Sequence, residues 1–180
     1  MHRIFAALPV PDHISDRLLH LQEDLPGARW RQRDHFHVTL HFYGEVDGEI
    51  AGEIADRLED IVSRPLDLVL KGVGWFGRKA PSNLHAVIAD SDELSDLAKN
   101  CRKIARQLNL NCEDRPFRPH ITLAYCKDTP LSMVRRWSET YQTLHSEPFL
   151  TDRFHLYESF TGKYRQSRYV AQADYPMVSS

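Results

Sequence analysis

A chain of 180 residues can hold one domain with a full core or two closely packed lobes, and is short for two independent domains. Apolar residues make up 42% and charged residues 27%, and the formal net charge is -2, which excludes a globally basic nucleic-acid coat, so a nucleic acid must be met locally. Cys101, Cys112 and Cys126 form no Cys-x-x-Cys pair, which argues against a disulfide framework or a thiolate zinc site and fits a reducing cytoplasm.

The opening apolar run, Ile4 to Leu8, is broken by Pro9, Pro11 and Asp12 too soon for a signal peptide, and no later run reaches membrane-spanning length. The expectation is a soluble, unprocessed, cytoplasmic protein. Arg3 to Leu8 reads as a buried strand, followed by a helical segment with Ile14, Leu18, Leu21 and Leu25 on one stripe and a stop at Pro26-Gly27. A short strand over 28–32 leads to a second over 36–43, closed by Gly44. Asp47 can cap a helix whose Ile50, Ile54, Leu58, Ile61 and Val62 recur at helical spacing up to Pro65.

Leu66, Leu68 and Leu70 alternate as in a strand, as do Leu84, Ala86 and Ile88 after the turn over 78–83. Ser91 or Asp92 caps the next helix, which carries Leu94, Leu97, Cys101, Ile104, Ala105 and Leu108 on one stripe. A strand over 120–125, a helix over 131–144, a strand over 149–159 and a last strand over 164–173 complete the chain. Strands often follow one another directly, so the pattern predicts an α+β protein with largely antiparallel sheets rather than a doubly wound parallel one.

One phrase occurs twice. His37-Val38-Thr39-Leu40 and His120-Ile121-Thr122-Leu123 both alternate an apolar residue with a histidine or threonine, so each strand presents an imidazole and a hydroxyl on one face and buries the other. Two imidazoles and two hydroxyls suit phosphate chemistry: one ring takes a proton, the other gives one, and the hydroxyls hold phosphoryl oxygens. Each copy is a strand followed by a turn and a helix, which predicts two similar lobes of largely antiparallel sheet with outer helices, facing one another in a single domain spanning 1–180.

The paired His-x-Thr-x motifs resemble those of the two-histidine phosphoesterase superfamily, most closely its RNA 2′,3′-cyclic phosphodiesterase (LigT-like) branch. The segments Arg3 to Pro9, Arg115 to His120 and Phe154 to Ser159 are similar to the branch's first strand, its approach to the second motif and its late strand. The resemblance implies a bilobal α+β fold with a central cleft that carries both motifs, and catalysis with no metal or other cofactor. It also implies a substrate with a 2′,3′-cyclic phosphate, on RNA or a nucleotide. His37 would be the proton donor and His120 the acceptor, leaving a 2′-phosphate, with Thr39 and Thr122 holding the non-bridging oxygens. Ligation of RNA ends through a 2′-5′ bond is the same chemistry with a hydroxyl in place of water. Close relatives often carry an arginine two residues after the second motif, where this chain has Tyr125; Lys127 or Arg118 would supply the charge, and Tyr125 would stack on a base.

Two other readings fit some of the same residues. His35, His37 and His41 stand at even spacing and with His120 could form a metal site in a metal-dependent hydrolase. A non-catalytic RNA- or nucleotide-binding module would use Arg115, Arg118, Lys127, Arg165 and Arg168 on phosphates and Tyr125, Trp75, Phe76 or Tyr157 on bases. These residues also read as the rim of a catalytic cleft, with Arg118, Tyr125, Lys127, Arg115 and Tyr157 as the substrate-binding set. A monomer is expected.

Overall fold

The computed structural model describes residues 1–163 and 165–179, and Arg165 by its backbone alone. Strand β1 (His2–Pro9) lies between β3 (His37–Val46) and β9 (Arg153–Gly162), with β10 (Arg165–Pro176) beyond β9 in the order β10-β9-β1-β3. A second four-stranded sheet has the order β2-β7-β6-β5, from β2 (Ala28–Trp30), β7 (His120–Cys126), β6 (Asn83–Ile88) and β5 (Leu70–Phe76). All the ladders are antiparallel. A two-stranded ladder of β4 (Leu66–Leu68) and β8 (Phe149–Thr151) joins them, since β4 runs on towards β5 and β8 towards β9.

Helices α2 (Gly48–Glu59) and α3 (Asp92–Gln107) pack on the first sheet, and α4 (Leu131–Tyr141) packs on the second. Asp47 caps α2 by accepting from Ile50 N at 2.8 Å, and Ser91 rather than Asp92 caps α3 by accepting from Leu94 N at 3.2 Å. Helix α1 (Asp12–Leu19) is shorter than the stripe predicts: Leu21 and Leu25 are buried beyond its end, in turns that run on to Gly27. Trp137 of α4, almost fully buried, donates its indole N–H to the Leu21 carbonyl at 2.9 Å and so ties α4 to the end of α1.

Four expected strands change shape or length. The chain breaks after Leu68, so that Leu70 starts a strand in another sheet. The segment expected as one strand over 149–159 is cut at Asp152, its two parts serving different ladders. Gly44 does not end β3; at φ +82°, a region that glycine enters without strain, it forms a bulge through which the strand continues to Val46. The last strand runs on to Pro176, and its expected start at Tyr164 lies outside the described residues.

Both motif strands carry a bulge at the same place. On β3, Thr39 pairs with Ala7 and His41 with Ala6, leaving Leu40 as the extra residue; on β7, Thr122 pairs with His85 and Ala124 with Leu84, leaving Leu123 extra. One inserted residue reverses the alternation beyond it. The side chains that share a face with His37 and Thr39 are therefore followed by Phe42, not His41, and those of His120 and Thr122 by Tyr125, not Ala124.

Candidate active site between the two motif strands

His37 and His120 are held alike. The Nδ1 of His37 lies 2.7 Å from the His35 carbonyl, and the Nδ1 of His120 lies 2.6 Å from the Arg118 carbonyl. A carbonyl only accepts, so each Nδ1 carries a proton and donates it, and Nε2 is left as the nitrogen free to gain or lose one. Strands β3 and β7 pack against each other, bringing the two half-buried rings to one region.

Burial pushes the His37 imidazole down to about 4, against the backbone bond to His35, and the positive charges of Arg31, His120 and His35 press it further in the same direction. His120 is also lowered, again by burial. Both rings are thus neutral near pH 7 in the unliganded protein.

The surroundings of the two rings differ. On the first sheet Phe5 packs against His37 at 4.9 Å between ring centroids, with Phe42 at 6.1 Å and Tyr157 at 5.3 Å on either side of Phe5. Tyr157 is 6.2 Å from His37, and Tyr169 from β10 meets the same ring edge-on at 5.3 Å. On the second sheet His120 meets Phe76 at 5.0 Å and His85 at 4.9 Å. A cleft of about 550 Å³ opens beside it, lined in part by Lys71, Trp75, Phe76, Phe117, Arg118 and His120. Asn83 donates to the Thr122 hydroxyl at 2.8 Å and bonds His85 at 2.7 Å. Among the described residues no hydrogen bond fixes the Thr39 hydroxyl.

Arg31 is the cation that the sequence reading missed. Its side chain is buried at 7% exposure, with no carboxylate partner among the described residues; it donates to Tyr169 Oη at 3.0 Å and to Gln166 at 3.4 Å, and lies over the Tyr125 ring at 5.2 Å. It thereby reaches from beside β2 across to β10, next to His37. The signal lay in the short strand before the first motif, whose alternation puts Arg29 and Arg31 on one side.

Of the residues expected at the rim, Tyr157 stands beside His37, Tyr125 lies under the Arg31 guanidinium further along β7, and Arg118 lines the cleft. Arg115 is exposed and ion-paired with Glu113 at 3.0 Å, and Lys127 follows β7 at the turn where its backbone N–H donates to Gly27 O. Arg168 lies over Phe160 in the β9–β10 hairpin, and the Arg165 side chain is outside the described residues. Phe42, at 44% exposure, was missed because strict alternation assigns it to the wrong face.

The four histidines proposed as a metal set do not gather. His35 lies in a short 3₁₀ turn (Arg33–His35), where its Nδ1 accepts from Gln32 N and its Nε2 bonds Ser167 O at 2.5 Å. His41, turned over by the bulge, packs edge-on against Tyr43 at 4.9 Å, and Tyr43 in turn donates to the Cys101 carbonyl of α3. Among the described residues no cluster of three His, Cys, Asp or Glu side chains is arranged to hold a metal.

A two-lobed α+β fold with one His-x-Thr-x strand in each sheet defines a two-histidine phosphoesterase. The family model described as LigT like Phosphoesterase matches residues 8–84 and again 88–165, one match for each motif, and the chain belongs to that family. Curated relatives are named RNA 2′,3′-cyclic phosphodiesterase. That from Thermotoga maritima is 29% identical over 166 residues, 87% of this chain and 86% of its own length. That from Methanocaldococcus jannaschii is 26% identical over 166 residues, 87% and 91%. The chain spans 40% of the length of the Geobacillus stearothermophilus relative, at 27% identity over 127 residues, 67% of this chain. Among solved structures, E. coli LigT complexed with 3′-AMP superimposes with a TM-score of 0.78 at 22% identity, over 99% of both chains. No helix of the described residues is long and apolar enough to cross a membrane.

Proposed function

We propose that this protein hydrolyses 2′,3′-cyclic phosphates at the ends of RNA or on nucleotides to 2′-phosphomonoesters, by general acid and base catalysis without a metal. Water attacks phosphorus in line with O3′ and gives its proton to Nε2 of His120. The P–O3′ bond breaks, and O3′ takes a proton from Nε2 of His37. Solvent then restores both rings. The hydroxyls of Thr39 and Thr122 and the guanidinium of Arg31 stabilise charge on the non-bridging oxygens.

The observation that carries this reading is the matched anchoring of His37 and His120, each with Nδ1 committed to a carbonyl and Nε2 available. The names of the family relatives support the substrate. A general acid must hold a proton that the free His37 has largely lost at pH 7, and the substrate itself supplies the remedy. A bound phosphodiester anion offsets the charge of Arg31 and draws a proton onto the ring beside it.

Incubation with a 2′,3′-cyclic mononucleotide and with a short cyclic-phosphate RNA, with and without chelator, tests the proposal. The 2′-monophosphate is expected as sole product with chelator present. Only 3′-phosphate would reverse the roles of the histidines, and loss of activity on chelation would remove the metal-free mechanism. The protein is further proposed to act as a monomer formed by 1–180 as one unit, a size that analytical ultracentrifugation would check.

A further inference from the structure

We propose that His85 and Asn83 form a fixed hydrogen-bond relay that aims the hydroxyl proton of Thr122 at the phosphoryl group, making both of them positioning residues of the site. This inference rests on the proposed phosphodiesterase reading. The direction of the relay follows from donors and acceptors. Burial pushes the His85 ring down to about 3, so it is neutral and holds a single N–H. Its Nε2 faces Gly74 so closely that a Cβ built there would lie 2.8 Å away, and among the described residues that nitrogen makes no hydrogen bond. Nδ1 is 2.7 Å from Asn83 Oδ1. The proton therefore belongs on Nδ1, where it has an acceptor.

With Oδ1 engaged, the Asn83 amide turns its NH₂ towards Thr122, whose oxygen accepts at 2.8 Å. The hydroxyl has then received a hydrogen bond and must donate elsewhere, and its free direction is away from Asn83. The other motif lacks this arrangement: in the same register Ala7 stands where His85 stands, and Phe5 stands where Asn83 stands. Thr122 is thus preset as a donor while Thr39 can turn in either direction. Preset donors lower the barrier because they need not reorganise as charge develops.

The first measurement is the tautomer of His85 by ¹⁵N-edited NMR of the ring, which requires no turnover. A neutral Nδ1–H form is expected; an Nε2–H form would reverse the relay and overturn the proposal. The second is kinetic, on 2′,3′-cyclic AMP. Asn83→Asp offers only acceptors, so Thr122 must donate to it instead of to substrate, and kcat should fall about 10- to 100-fold with a far smaller change in KM. Placed on Thr122→Val, the same substitution should cost almost nothing more, because its effect travels through the hydroxyl. Full losses that multiply would overturn the relay. Circular dichroism checks that both variants are folded, and His85→Asn, which can keep a donor near the Nδ1 position, should retain more activity than His85→Leu. A wild-type protein with no turnover would defeat the phosphodiesterase reading, and the tautomer would still judge the relay.

Discussion

His37 and His120 are tied by the same bond to a carbonyl two residues upstream, yet His37 sits among aromatic rings beside the Arg31 guanidinium while His120 has a second imidazole beside it. Both are lowered from 6.5 in the free protein. Since kcat/KM reports the free enzyme and kcat the complex, the optimum for kcat/KM should lie below pH 6.5, with that for kcat at higher pH. Initial rates on a cyclic mononucleotide across pH 4 to 9 check this. A kcat/KM optimum above 6.5 would mean that the free rings titrate higher than their burial requires.

Arg31 gives a second expectation. Replacement by Gln keeps much of the side chain's bulk and removes the charge. It should raise KM for the cyclic phosphate about tenfold or more, the size of a lost charged hydrogen bond. It should also let the His37 pKa rise, because the guanidinium is one of the causes holding it down. The kcat/KM profile would move with it, whereas a purely structural arginine would alter stability and leave the profile in place.

Phe42 and Tyr125 occupy the same register in the two motif strands and remain partly exposed. Stacking of a base on an aromatic ring contributes about 1–3 kcal/mol. Phe42→Ala and Tyr125→Ala should therefore weaken binding of cyclic-phosphate RNA by roughly 5- to 150-fold with little change in kcat. An equal loss in kcat would tie them to the chemistry.

Stability should fall in mild acid. His37 and His41 are each lowered to about 4 and His85 to about 3, burial being the largest cause in every case. The unfolded chain binds these protons near 6.5 and the folded one does not, so stability is fully present above 6.5 and is lost as pH drops below it. Thermal melts at pH 7 and pH 5 should show a lower Tm at pH 5. His41→Gln, remote from the paired histidines, should reduce the difference; an unchanged difference would show that His41 is not part of it.

Much of this was legible in the residues because repetition is independent of packing. The doubled motif, the antiparallel α+β architecture and the helices capped by Asp47 and Ser91 all follow from local pattern and spacing. What escaped was the break in period. Nothing in Leu40 or Leu123 announces a bulge, so alternation placed His41 with His37 and overlooked Phe42. Arg31, just past β2, and the pair Asn83 and His85 of β6 escaped for a different reason: they come from segments that become neighbours of β7 only when the second sheet forms. The short ladder of β4 and β8 was hidden too, since it is assembled from the two ends of segments that read as continuous strands.

The bulge after each threonine separates two jobs along one strand. In the proposed reaction, residues before it are bound to the chemistry by the fixed geometry of imidazole and hydroxyl, and residues after it follow on the same face in a shifted phase. On that proposal, a change at Phe42 or Tyr125 retunes which nucleotide is accepted without disturbing proton transfer, so substrate range and chemical step can evolve as separate traits on the same backbone.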